Sequence, residues 1–244
     1  MSPPADGRRG DGDAYERIRA AILTGKLAPG AIYSQADLTR LLGVSRTPLR
    51  EATRRLQSEG FFEHQPKRRL RVSPLEPDDL SALYAMRIAL EPLAVRLAMP
   101  FMARNDLAPL RAHLSAMHEA CAAGDYEAAR IPHRDFHQLL YARAGERMVR
   151  EVQELRDHAE RYRRLVFADA ADSVAMLGAS AAEHDAIADA AADRDGVRCA
   201  ELVAQHLTRS ALKISAELEH SFEPRDVRTA LEYVRFGTAG RPAD

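Results

Sequence analysis

Two groups of residues in this 244-residue chain combine types and spacings that suit chemistry. The first is Ser45-Arg46-Thr47-Pro48-Leu49-Arg50, followed by Arg54 and Arg55. On a helix, Arg46 and Arg50 share one face near its start. From there a guanidinium can bond guanine O6 and N7 together, and Ser45 and Thr47 can offer hydroxyls to phosphate. A solvated amphipathic helix with ordinary surface arginines is the alternative. The second group is four of the nine histidines. His133 and His137 are four apart, with Phe136 and Leu140 turning that face inward. His184 precedes Ile187 and Ala191, and His206 lies among Val203, Leu207 and Ile214. Neutral imidazoles converging inside a bundle can hold Zn²⁺ or a similar borderline ion. On spacing alone, satisfied core histidines remain the competing account.

Each group needs elements to position it. Residues 1–13 are polar and rich in Gly and Pro, and read as a disordered arm. Tyr15, Ile18, Ala21 and Ile22 mark a first helix that Gly25 ends. Ser34 caps a short helix carrying Leu38, Leu41 and Leu42, closed by Gly43. Ser45 caps the next, with Pro48 in its first turn and Leu49, Ala52, Thr53 and Leu56 as the buried stripe. Phe61 to Val72 reads as a hairpin whose tip is basic, with Lys67, Arg68 and Arg69. The head therefore runs over 14–73 as helix, helix, turn, helix, hairpin, and 74–77 is a linker.

Beyond it lie six helical stretches, near 78–99, 105–123, 125–143, 146–168, 176–194 and 196–220. Together they make an all-α domain over 78–222 that carries the histidines. Residues 223–244 form a C-terminal extension with a short helix around Val227–Val234. The fold class is mainly α.

Charge separates the two parts. Residues 14–71 hold 12 Lys/Arg against 5 Asp/Glu, whereas the whole chain is at −1. A basic head on an acidic body suits a polyanion-binding module joined to a part that binds none. Two cysteines make no disulfide framework, no apolar stretch spans a bilayer and no leader stands at the N-terminus, so a cytoplasmic, membrane-free protein is expected.

From Tyr15 to Val72, with Gly25-Lys26-Leu27-Ala28-Pro29-Gly30 and Leu42-Gly43-Val44-Ser45-Arg46-Thr47-Pro48-Leu49-Arg50-Glu51-Ala52, the chain resembles the winged helix-turn-helix of GntR-type regulators. Gln35 stands where the family often has Glu, and Arg68-Arg69 where its wing tip often has Gly. The resemblance implies a homodimer on a two-fold operator in duplex DNA, with Arg46, Thr47 and Arg50 among the contacts. The helical body resembles the effector domain of the FadR subfamily, called FCD, and a count of six helices resembles its VanR-like branch. That likeness implies a divalent metal held by His137, His184 and His206. His133 stands where relatives usually have Asp. An all-nitrogen set favours Zn²⁺, with Ni²⁺ or another transition metal as alternatives. It further implies a small organic-acid effector, with Arg87 as a clamp for one carboxylate unless Glu91 engages it.

The expected function is an effector-controlled transcription repressor and not an enzyme. Two other readings compete: a metalloenzyme using the histidine cavity, with Glu183 the nearest candidate base, and a dry dimerisation bundle without metal.

Overall fold

The computed structural model describes the backbone of residues 7–66, 69–167 and 173–238, and side chains over 13–66, 69–166 and 180–234. The chain divides into two compact units, Met1–Leu75 and Glu76–Asp244.

The first unit holds α1 (Gly7–Leu23), β1 (Ile32–Ser34), α2 (Gln35–Leu42), α3 (Arg46–Ser58), β2 (Phe62–Gln65) and β3 (Arg69–Val72). Its core is one cluster that includes Ile18, Leu27, Leu38, Leu49, Leu56 and Val72. α2 begins with a capping box. Ser34 Oγ accepts from the Asp37 amide, and Asp37 accepts in turn from the Ser34 amide. It ends at Gly43, whose φ of 62° lies in the left-handed region that glycine enters without steric cost. The tight stop turns the chain directly into α3. β3 is the central strand of an antiparallel sheet in the order β1-β3-β2, with Tyr33 opposite Leu70 and Phe62 opposite Val72.

Two expectations about the head change. α1 already begins at Gly7, so the supposed arm of 1–13 is helical from that point. Once Tyr15 to Leu23 are locked into the core, each further turn adds hydrogen bonds without a new nucleation cost. An Arg17–Asp13 pair at 3.5 Å supports this turn. The hairpin also has a third partner, β1, whose three residues are too short to show a period-2 pattern.

The second unit is a bundle of α4 (Pro77–Ala98), α5 (Leu107–Ala122), α6 (Tyr126–Tyr141), α7 (Glu146–Phe167), α8 (Ser173–Ala192), α9 (Gly196–Leu218) and α10 (Arg225–Thr238). α4 is central, packing against α9, α10, α7 and α6. Among the described residues, α4 to α9 are the six helices expected over 78–222, and a seventh follows them. The seventh is α10, read from sequence as an extension. It packs on α4 with Val227 fully buried, so its apolar face belongs to the bundle.

Candidate nucleic-acid interface and metal centre

α3 presents its chemistry outward. Leu49, Ala52, Thr53 and Leu56 are buried, which turns Arg46, Thr47, Arg50 and Arg54 to solvent. Ser45 is an extended N-cap whose side chain makes no capping bond, leaving its hydroxyl available at the helix start. Arg50 and Arg54 line one side of a concave groove, and His64 and Arg69 of the β2–β3 wing line the other. Arg69 is exposed and sits opposite Ser34 and Gln65 in the sheet. Lys67 and Arg68 lie outside the described residues.

Arg55 does not continue this basic surface. Its guanidinium carbon lies 3.9 Å from the centre of the Tyr15 ring, and its Nε is 2.8 Å from Glu59 Oε1. Tyr15 donates its hydroxyl to Glu59 Oε2 at 2.7 Å, so the three side chains tie the end of α3 to α1. Spacing on α3 cannot reveal this, because the partner ring comes from another helix.

Three helices of the bundle bring the four histidines together. α6 supplies His133 and His137, α8 supplies His184 and α9 supplies His206, all buried. One nitrogen from each ring lies within 4.8 Å of all the others. The Nε2 atoms of His137 and His184 are 3.3 Å apart, close to the edge of a tetrahedron of nitrogens at about 2.0–2.1 Å from a zinc ion. His133 Nε2 is buried with no hydrogen-bond partner, an arrangement that costs free energy unless something occupies the lone pair or proton.

The cage keeps its rings neutral. Burial pushes His133 and His137 well below the ordinary histidine range, with Arg163 the next cause for the first and Arg156 for the second. Burial and then the His206 ring do the same to His184, against a hydrogen bond to the Ser180 backbone. His206 is lowered to about 3, by burial first and then by Arg163, Arg87 and Arg156. Neutral imidazole is the form that ligates metal. His206 Nδ1 lies 2.8 Å from Glu183 Oε2, and an ionised carboxylate can only accept. The proton therefore sits on Nδ1 and the Nε2 lone pair is free, which is the usual outer support of a metal-bound histidine. The residues fit a transition-metal ion. Glu183 also takes Arg209 Nε at 2.6 Å, so both its oxygens are engaged and it is no free base beside the cage.

Beside the cage, a pocket reaches His133 and His184 and is also lined by Arg130, Arg163, Lys213 and Tyr126. Arg87 is not on this wall. It is buried, with its Nε 2.6 Å from Glu91 Oε1 and its guanidinium over the Tyr84 ring, while Arg156 holds the other Glu91 oxygen at 2.9 Å. Glu91 engages Arg87, the alternative to a carboxylate clamp that the sequence leaves open. Arg134 pairs with Asp135, and Arg164 with Glu127. Arg130 reaches the pocket. The sequence alone singles out neither Arg163 nor Lys213, yet it carries a signal for the second. Lys213 follows His206 by seven residues on α9, two turns along the same face.

Comparisons with known proteins agree with this architecture. The model for bacterial regulatory proteins of the gntR family matches residues 12–72, and the FCD domain model matches residues 82–209, a stretch containing all four histidines. The chain is 31% identical over 211 residues to the HTH-type transcriptional regulator BphR of Paraburkholderia xenovorans, covering 80% of this chain and 81% of that protein. It is 28% identical over 200 residues to the HTH-type transcriptional repressor GlaR of Escherichia coli, covering 80% and 91%. Among solved structures, E. coli McbR/YncC superposes with a TM-score of 0.77 at 23% identity, over 86% of this chain and 99% of that one, a likeness of fold. Among the described residues, no helix is long and apolar enough to cross a membrane.

Proposed function

Because the chain belongs to the GntR family of bacterial regulatory proteins, with an FCD domain behind its helix-turn-helix, we propose that this DNA-binding transcriptional regulator is a homodimeric repressor whose operator affinity is set by a small organic acid bound at a metal ion. One observation carries the reading: four neutral, buried imidazoles converge beside a pocket walled by Arg130, Arg163 and Lys213. The ion is a transition metal, Zn²⁺ before Ni²⁺, since all four ligands are nitrogen. His133, His137, His184 and His206 would hold it, Glu183 would orient His206, and the ion, by expanding to a fifth ligand, would offer a Lewis-acid position to a carboxylate oxygen. The cationic wall attracts and orients the rest of the acid.

Arg46, Thr47, Arg50 and Arg54 contact DNA, with Ser45 at the phosphate backbone and Lys67, Arg68 and Arg69 contributing from the wing. The exposed Met86, Leu93 and Leu97 follow one another along α4 at spacings of seven and four, an apolar strip that a second copy would cover. The name of the GlaR relative supports repression as the sign of control. A cytoplasmic location follows from the DNA target.

The test is one preparation of the full chain. Elemental analysis is expected to give about one transition-metal ion per chain, and a panel of organic acids should contain one that raises the melting temperature and releases operator DNA in a mobility-shift assay. Absence of both metal and any acid response would leave the dry dimerisation bundle as the better account.

A further inference from the structure

The carboxylates around the histidine cage are already engaged by cations. Glu91 is shared by Arg87 and Arg156, Glu183 holds Arg209 as well as His206, and Glu127 pairs with both Arg130 and Arg164. Glu160 lies 3.6 Å from Arg163 and accepts the Tyr126 hydroxyl. The ligating groups are four uncharged rings, with no carboxylate among them. A divalent ion placed there would keep its full charge in a buried site already surrounded by guanidinium groups, where like charges repel far more than in water.

We infer that metal and anionic effector bind this cage as one unit: the ion is held weakly alone, and an anion spanning the space between the histidines and the Arg130–Arg163–Lys213 wall supplies the missing negative charge. The inference rests on the metal-and-acid reading given above and adds its regulation. Loading with metal and sensing of the acid are then a single cooperative event, and each ligand raises the other's affinity by the same factor. Anions with one carboxylate for the ion and a second negative group for the wall gain most, because they meet both charges. Met117, Ala129 and Tyr126 also line the pocket, whose surface is largely apolar, which suits a short carbon chain.

The experiment uses the full-length protein stripped with a chelator. Zn²⁺ affinity is measured by competition with a chromophoric chelator at constant ionic strength set by perchlorate. The measurement is repeated with acetate, succinate, glutarate or inorganic phosphate. At least one of these anions is expected to raise Zn²⁺ affinity about tenfold or more, within the usual range of coupling between sites. His133→Asp, which builds a negative charge into the cage, should bind Zn²⁺ about tenfold more tightly without any anion and show a smaller anion effect. Arg130→Met, which removes one positive charge from the pocket without touching the ligands, should bind Zn²⁺ without anion at least as tightly as the parent and lose most of the enhancement. Zn²⁺ affinity equal with and without every anion, and unchanged in His133→Asp, overturns the coupling while leaving the metal site standing. No Zn²⁺ binding under any condition instead removes the metal reading itself.

Discussion

Glu183 and His206 meet across the contact of α8 with α9, with the carboxylate Oε2 2.8 Å from the ring Nδ1. The same carboxylate holds Arg209, so its position is set from two sides. Glu183→Gln keeps the shape and can still accept a hydrogen bond, but loses the charge that orients and enriches the imidazole. Zn²⁺ affinity is expected to fall by roughly 10–100-fold while the far-ultraviolet circular dichroism stays the same. Chelator competition measures it. His184→Ala combined with His206→Ala should remove bound metal almost entirely, as read by elemental analysis.

Arg46 and Arg50 point to solvent from the first turns of α3 and have no structural duty in the head. Replacing either with Ala should cost about 1–3 kcal/mol of discrimination for the operator and leave the melting temperature within a degree or two. Footprinting at physiological salt is the measurement. Retention of the same footprint by both variants would remove α3 as the reading helix.

Arg54 and Arg55 are neighbours with opposite expectations. Arg54→Ala should weaken DNA binding and flatten its salt dependence by about one phosphate contact, with stability unchanged. Arg55→Ala should leave the salt slope alone and destabilise the head, because it breaks the contacts with Tyr15 and Glu59. Loss of a hydrogen bond to a charged group is worth about 1.5–3 kcal/mol, discounted here because Arg55 is largely exposed. Salt titrations of binding and denaturant melts separate the two.

Glu91 is fully buried between Arg87 and Arg156. Glu91→Ala strands two guanidinium groups inside the bundle and is expected to cost about 3–5 kcal/mol. Urea unfolding checks this. A loss below about 1 kcal/mol would mean that the arginines find water or other partners.

Acid should weaken the metal-free bundle before its surface carboxylates titrate. The four cage histidines have folded values below the ordinary 6.5, that of His206 at about 3. Above about pH 6.5 both folded and unfolded rings are neutral, and the folded state has its full stability. As pH falls below that value the unfolded rings take up protons that the folded cage refuses, so stability drops, by up to about 1.4 kcal/mol per pH unit for each histidine. The melting temperature of stripped protein should therefore decline between pH 6.5 and 5. Saturating Zn²⁺ with anion should delay the decline, since bound metal must be displaced by protons first.

Much of both sites was legible from spacing. Leu49, Ala52, Thr53 and Leu56 fix the inner face of α3 and so the outward face of Arg46 and Arg50. His133 and His137 at four-residue spacing, with Phe136 and Leu140 beside them, could only point inward from α6. The helices of the bundle were also visible, because a 3.6-residue period over some twenty residues is a strong signal. The signal weakened at ends and in short pieces. The helical start at Gly7 and the three-residue strand β1 depend on contacts with the rest of the head.

By itself the chain determined which faces are apolar, which carry charge and which histidines are inward, since those follow from the geometry of one helix at a time. Only the tertiary structure decided the partners: that Glu91 takes Arg87 away from the pocket, that Arg55 lies on Tyr15, that Glu183 supports His206, and that Arg163 and Lys213 stand beside the cage. Periodicity fixes an angle around one axis and says nothing of the distance to a second. An ion pair, a metal cage and a charged pocket are all defined by distances between helices, and those come from packing alone.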